Sequence, residues 1–151
     1  GLKEASSEEF DEKSNSSEDH LIYHLSKWIK DQKVEIRSKV QNKGGTMRLG
    51  AYPAKIKKGT MAYSIYKKAI VSERHRHRFE VNVNYQEALE DNGLTFSGFS
   101  QDGLLPEVVE LSSHPFFLGV QFHPELKSKP FEPHPIFSNF IKKALEQTRL
   151  V

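Results

Sequence analysis

Residues 116–125 read Phe-Phe-Leu-Gly-Val-Gln-Phe-His-Pro-Glu, and this stretch decides the fold class. Its first seven residues form an almost continuous apolar run with the length and composition of a buried strand. The run ends at His123, Pro124 and Glu125, which lie at the end of the predicted strand. We therefore predict a buried strand over residues 116–122 that ends beside two ionisable side chains.

Around this run the sequence alternates between further strands and short helices. Strands are predicted at residues 34–40, 46–56, 94–99 and 108–111, with extended segments at 69–72 and 78–82. Helices are predicted at residues 61–68 and 85–91, and from Pro135 onward, where Ile136, Phe137, Phe140, Ile141 and Ala144 mark one apolar face. Residues 20–32 fit either a helical stripe or a buried strand followed by a turn. This order of elements predicts an α/β fold.

The composition is that of one globular domain or of a piece of a larger one. The chain has 151 residues, with 22 Lys and Arg against 20 Asp and Glu, which gives a net charge of only +2. So small a charge does not indicate a nucleic-acid partner, and no apolar run is long enough to span a membrane. The chain has no cysteine, which excludes disulfides and makes a cytoplasmic location the default expectation.

His123 and Glu125 carry the strongest chemical signal. Residues two apart on a strand point to the same side, so both side chains can emerge together at the strand end. A carboxylate beside an imidazole fixes its tautomer and favours its charged form, as a base that serves a Cys or Ser nucleophile requires. The plainer interpretation is a surface His-Pro turn after a strand, and the two residues alone leave both open.

The His-Pro-Glu segment and four longer stretches carry a resemblance to a known family. The His-Pro-Glu segment resembles the signature of class I glutamine amidotransferases. Residues 44–50, Gly-Gly-Thr-Met-Arg-Leu-Gly, and residues 73–82, Glu-Arg-His-Arg-His-Arg-Phe-Glu-Val-Asn, resemble signatures of the CTP synthase family. Residues 2–10 and 122–137 also resemble segments of that family, with Glu8 standing where the family has Thr. The resemblance covers nearly the whole chain in matching order; residues 11–33 and 51–70 match poorly.

The resemblance implies a fold and roles for particular residues. It identifies residues 1–151 as the C-terminal portion of a flavodoxin-like amidotransferase domain, without its N-terminal half. His123 would be the catalytic base and Glu125 the acid that orients it. Glu9 would bind the ammonium of glutamine, and Arg78 would bind its carboxylate through side chain or backbone. The strand at residues 116–122 would be central in the sheet.

The family's activity is the synthesis of CTP from UTP, ATP and ammonia, which a Cys-His-Glu triad releases from glutamine. The implied partners are L-glutamine and the missing N-terminal half and synthase domain, and the implied assembly is a homotetramer. ATP and Mg²⁺ would belong to the parent enzyme, since no cofactor or metal site is expected in this chain. Because a triad without its thiol cannot form a thioester, the isolated chain is expected to be inactive.

Other interpretations remain open at this stage. The lack of cysteine also fits a non-catalytic remnant, or a regulatory module that binds glutamine or a partner. GMP synthase shares the His-Pro-Glu motif. The basic run at residues 74–78 could bind nucleic acid, and His75 and His77 could ligate a metal from one strand face, although acids flank the run and its arginines would repel a cation. Arg48 is explained equally well as a charge at a strand end.

Overall fold

This computed structural model describes residues 2, 5–10, 20–24, 27–30, 33–36 and 47–148. The strands are β1 Ile22–His24, β2 Lys27–Lys30, β3 Lys33–Ile36, β4 Arg48–Ile56, β5 Ile70–His77, β6 Phe79–Val81, β7 Leu94–Ser100, β8 Pro106–Leu111 and β9 Leu118–Val120. The helices are α1 Met61–Tyr66, α2 Gln86–Glu90 and α3 Pro135–Thr148, with 3₁₀ turns at Val83–Tyr85 and Pro124–Leu126. No helix in these ranges is long and apolar enough to cross a membrane.

The main sheet has five strands in the order β5-β4-β7-β8-β9, and every neighbouring pair is antiparallel. β4 alternates buried and exposed residues over most of its length, and it pairs with β5 from Arg48↔His77 to Lys55↔Ile70. The turn between β7 and β8 contains Gly103, whose φ of +81° favours glycine. Strands covered by helices confirm the predicted α/β class.

The core lies between the main sheet and the helices α1 and α3. It is built from alanines, branched aliphatic side chains and one phenylalanine, namely Ala54, Ile56, Ala62, Ile65, Val71, Val108, Phe122 and Ile136. α1 begins beside β8 because the carboxylate of Glu110 accepts hydrogen bonds from the N–H groups of Met61 and Ala62, at 2.8 and 3.0 Å. The carboxylate satisfies backbone donors that the first turn of a helix leaves free.

The strand at residues 116–122 is shorter than predicted and lies at the edge of the described sheet, while its central position in a complete amidotransferase domain stays a prediction. β9 covers only Leu118–Val120, its residues are half-buried, and it pairs with β8 alone. Its position at the edge explains the incomplete burial, because only one neighbouring strand lies beside it in the part of the chain that the structure describes. The apolar run indicated a strand here but did not indicate how many neighbours it has.

Most other predicted elements are confirmed within a few residues. In residues 20–32 the strand alternative is correct, since β1 and β2 lie there. β5 is longer than predicted and includes most of the basic run. Residues 37–46, which include the end of the strand predicted at 34–40, lie outside the described part. β4 pairs with β5 and β7, whereas β3 pairs with β2.

A second, small sheet joins the N-terminal segment to the end of the basic run. β1 pairs with β6 from Ile22↔Val81 to His24↔Phe79. Ser7 forms a parallel bridge with Ile22, and the Glu8 N–H donates to the Ile22 carbonyl at 2.9 Å. The segment that contains Glu9 therefore lies beside β1, one strand away from β6.

Candidate active site

His123 and Glu125 meet just after β9, at the start of the turn Pro124–Leu126. The Nδ1 atom of His123 lies 2.6 Å from Oε1 of Glu125, and the two side chains are 37% and 56% exposed. His123 has an extended backbone (φ −111°, ψ 90°), so it continues the strand direction before the turn begins at Pro124. The pair thus combines a strong hydrogen bond with access to solvent.

Backbone hydrogen bonds fix this segment between two strands. The His123 N–H donates to the Arg74 carbonyl on β5 at 2.8 Å, and the Gln121 N–H donates to the Glu107 carbonyl on β8 at 3.0 Å. Between them, Phe122 is 3% exposed, and its ring lies edge-on to that of His75. His123 is therefore attached to the sheet by its main chain and by the side chain before it.

The hydrogen bond also sets the charge of the acid. The bond from His123 holds the pKa of Glu125 below its usual range, and the nearby Arg76 acts in the same direction. Glu125 therefore stays ionised at neutral pH, and the bond is lost only as the pH falls through that lowered pKa. With a carboxylate as acceptor, Nδ1 is the donor, which leaves Nε2 as the basic nitrogen of neutral His123.

A buried charge cluster lies beneath the exposed pair. Arg48 on β4 is 3% exposed, and it donates to Glu80 on β6 at 3.0 Å and to Glu107 on β8 at 2.7 Å. His75 lies 3.5 Å from Glu107, and His77 lies 2.7 Å from Glu80. One guanidinium therefore connects carboxylates from two other strands, and two histidines of the basic run contact the same carboxylates.

Burial governs the protonation of this cluster. Burial and the neighbouring Arg48 lower the pKa of His75 to about 2, so this histidine is neutral. Burial raises the pKa of Glu107 to about 7 against the opposing effect of Arg48. Burial alone would lower the pKa of Arg48, but Glu107 and Glu80 outweigh it and hold that pKa above its usual value. The guanidinium therefore remains the fixed charge of the cluster.

The two predicted glutamine-binding residues lie near the small sheet. Glu9 is exposed in a turn, where its N–H donates to Ser7 Oγ at 3.3 Å. Arg78 is half-buried between β5 and β6. Within the described residues, neither side chain forms a hydrogen bond or ion pair with His123 or Glu125. His123 and Glu125, the proposed catalytic pair, are thus in direct contact, whereas Glu9 and Arg78 lie near the place where β1 and β6 pair.

The sequence analysis missed the buried acids. Glu73, Glu80 and Glu107 are each at most 1% exposed, and each contacts a cation or a histidine. The period-two pattern of the basic run contained part of the signal, because Glu73, His75 and His77 share the inner face of β5 and the arginines between them face outward. Among the described residues, no group of three or more His, Asp or Glu side chains is arranged to hold a metal.

We predict that Arg48→Met strongly destabilises the chain. The substitution leaves Glu80 and Glu107 buried without their cation, a change that costs about 3–5 kcal/mol of unfolding free energy. Urea unfolding followed by circular dichroism measures the effect. Arg74→Met is the matched control, since that side chain is exposed on the neighbouring strand and should change stability by less than about 0.5 kcal/mol. Equal losses for the two variants would contradict the assigned role.

The raised pKa of Glu107 predicts a pH dependence of stability. Its contribution is fully present below the unfolded value of 4.5 and is lost as the pH rises through about 7. Glu107→Gln has no carboxyl group to ionise and so lacks this loss. Between about pH 5 and 7 its unfolding free energy should therefore rise relative to that of the unsubstituted chain. The difference should grow by up to about 1.4 kcal/mol per pH unit. Urea midpoints across that range test this, with Glu87→Gln on the exposed face of α2 as control. Parallel pH curves for all three proteins would refute it.

Comparisons with known proteins agree with the geometry. A family model for class I glutamine amidotransferases matches residues 12–143. The CTP synthase of Zymomonas mobilis subsp. mobilis is 56% identical over 151 residues, which cover 100% of this chain and 27% of that protein. The CTP synthase of Maricaulis maris is 54% identical over 151 residues, with the same two coverages, 100% and 27%. The chain therefore spans about 27% of the length of these relatives.

Two solved structures resemble this chain to different degrees. The glutaminase domain of Trypanosoma brucei CTPS with bound acivicin is 36% identical, with a TM-score of 0.74 over 97% of this chain and 52% of that one. A Thermoplasma acidophilum protein described as part of a GMP synthase is 17% identical, with a TM-score of 0.51 over 69% of this chain and 47% of that one, and it shares the fold alone. GMP synthase is the more distant match. The chain belongs to the class I glutamine amidotransferase family, and within it the chain matches the glutaminase domain of CTP synthases.

Proposed function

We propose that this chain supplies the histidine and glutamate of the glutaminase site of a CTP synthase. The hydrogen bond of 2.6 Å between His123 and Glu125 carries this proposal. With its Nδ1 proton held by Glu125, His123 can accept a thiol proton at Nε2 and then donate it to the departing ammonia. The carboxylate stabilises the imidazolium that forms in between.

The nucleophile of the proposed reaction comes from outside these residues. None of the 151 residues is a cysteine, and the matched CTP synthases are almost four times as long as this chain. A thiol from the remainder of such an enzyme would attack the side-chain amide of glutamine and release ammonia. The ammonia would then react with UTP that ATP has activated. ATP, Mg²⁺, a cytoplasmic location and a homotetrameric assembly all belong to the parent enzyme of this proposal.

Glutamine recognition is assigned to Glu9 and Arg78. A zwitterionic amino acid needs an anion for its ammonium and a hydrogen-bond donor for its carboxylate. The exposed carboxylate of Glu9 suits the first task and the half-buried Arg78 suits the second. The location of Glu9 and Arg78 supports both assignments. β1 bridges the segment of Glu9 and pairs with β6, and β6 directly follows Arg78. Arg76 on β5, which acts on Glu125, is a further cation two residues before Arg78.

A second candidate function is a non-catalytic glutamine-binding or regulatory module. The observation that favours it is the absence of cysteine from the chain. The two functions differ in one measurable property, because only the first requires His123 to take part in amide hydrolysis when a thiol is present.

A chimera tests the proposed function. These 151 residues replace the matching segment of the Zymomonas mobilis CTP synthase, and CTP formation is measured with glutamine and, separately, with ammonia. We expect the chimera to use both nitrogen sources. His123→Ala should lower the glutamine-dependent rate by about 10³-fold or more, because it removes the base, and leave the ammonia-dependent rate intact. Glu125→Gln should act in the same direction.

The control for this experiment is His114→Ala, which removes an exposed histidine before β9 and should leave both rates unchanged. A chimera that makes CTP from ammonia but not from glutamine would favour the non-catalytic module. Glutamine-dependent activity that survives His123→Ala would reject His123 as the base.

A further inference from the structure

Glu73 is a buried acid that the proposed chemistry does not use. It lies on the inner face of β5 and is 1% exposed. Its Oε1 atom lies 3.0 Å from His134 Nε2 and accepts a hydrogen bond from the Tyr66 hydroxyl at 3.1 Å. Its Oε2 atom lies 3.4 Å from Lys127 Nζ. One carboxylate therefore contacts the last residue of α1, the residue before α3, and the residue that follows the turn bearing Glu125.

These contacts belong to a closed series of hydrogen bonds and ion pairs around the segment after the catalytic pair. The Lys127 N–H donates to the Pro124 carbonyl at 3.0 Å, and Lys127 Nζ donates to the Ser72 carbonyl at 2.5 Å. The next residue, Ser128, accepts a hydrogen bond at Oγ from the His134 N–H at 3.1 Å. The contact of His134 with Glu73 completes this series, so the segment from Pro124 to His134 is folded back onto β5.

Polar contacts hold the later part of this segment, whereas Pro124 at its start is buried. A cavity of about 650 Å³ is lined by Tyr66, Glu73, Leu126, Lys127 and His134, so the turn is not tightly packed against the sheet on that side. Burial would raise the pKa of Glu73, but His134, Lys127 and Tyr66 outweigh it and hold that pKa below the usual value. The carboxylate is therefore ionised, and it faces two groups that can be cationic.

The two members of the catalytic pair are fixed in different ways. The main chain of His123 is bound to β5 through the Arg74 carbonyl. Glu125 lies two residues further on, its side chain is 56% exposed, and its carboxylate is hydrogen-bonded only locally among the described residues, to His123 and to its own backbone N–H. The position of Glu125 therefore depends on how the end of the turn is held, and Lys127 is the residue that directly follows the turn.

We propose that Glu73 is a positioning residue for Glu125, acting through Lys127. Its buried carboxylate holds the end of the turn against β5, and so keeps the Glu125 carboxylate in line with Nδ1 of His123. This inference rests on the proposed glutaminase function and extends it to a residue that does not touch the substrate.

The chimera described above provides the test. Glu73→Gln keeps the size of the side chain and an acceptor for His134 but loses the ion pair, and Lys127→Met removes the other partner. Each should lower kcat for glutamine-dependent CTP formation by about 10- to 100-fold, because small misplacements of catalytic groups are costly. The KM for glutamine and the ammonia-dependent rate should change little. Both variants break the contact between Glu73 and Lys127, and Lys127→Met also removes the hydrogen bond to the Ser72 carbonyl, so the double variant should lose no more than Lys127→Met alone.

Two further variants separate positioning from a general effect on the segment. Lys129→Met removes a lysine from the same segment whose only described side-chain partner is the exposed Glu132, at 3.2 Å, so it should leave kcat unchanged. Lys127→Arg keeps the charge and should restore most of the rate lost in Lys127→Met. If Glu73→Gln does not fold, the partly exposed Lys127 carries the test, since its substitution leaves the core intact.

The possible results are distinct. If kcat remains within about twofold in Lys127→Met, the inference is wrong. It is also wrong if the glutamine-dependent and ammonia-dependent rates fall together, because that pattern reports a loss of folded protein. The same holds if Lys127→Arg is as impaired as Lys127→Met. If the unsubstituted chimera has no glutamine-dependent activity, the proposed function itself fails. A selective loss of the glutamine rate that Lys127→Arg reverses supports the positioning role.

Discussion

The contact of Arg48 with two buried carboxylates constrains three strands at once. Arg48 belongs to β4, whereas Glu80 belongs to β6 and Glu107 to β8, and all three side chains are almost inaccessible to solvent. A buried charge is tolerated only when it is paired, so the strands cannot shift past one another without exposing or unpairing these groups. The small sheet and the main sheet are held in one arrangement by this requirement.

The exposed pair depends on that arrangement. The backbone of Glu107 binds Gln121, and β5, whose His75 contacts Glu107, binds His123 through its main chain. A buried and charged framework thus presents a histidine whose ring remains open to solvent. Catalytic groups need such support because their rates depend on sub-ångström alignment, whereas their own side chains must stay accessible to the substrate.

Local patterns predicted those parts of the fold that local forces determine. Proline at the first turn of α3 and the apolar face of that helix were both readable from neighbouring residues. The edge position of β9 and the partners of Arg48 were not, because they depend on residues far apart in sequence. His123 and Glu125 could be paired in advance because they are two residues apart, whereas Glu73 and His134, 61 residues apart, could not.

The tautomer of His123 provides the most direct test of this account. If Nδ1 donates its proton to Glu125, neutral His123 must be protonated at Nδ1 and unprotonated at Nε2, the nitrogen that would accept the thiol proton. Long-range ¹H–¹⁵N correlation spectra of the chain, labelled at histidine and recorded above about pH 8, distinguish the two forms. The account predicts the Nδ1–H tautomer for His123. A ring protonated at Nε2 would contradict it, because such a histidine could not serve as the base in the assigned orientation.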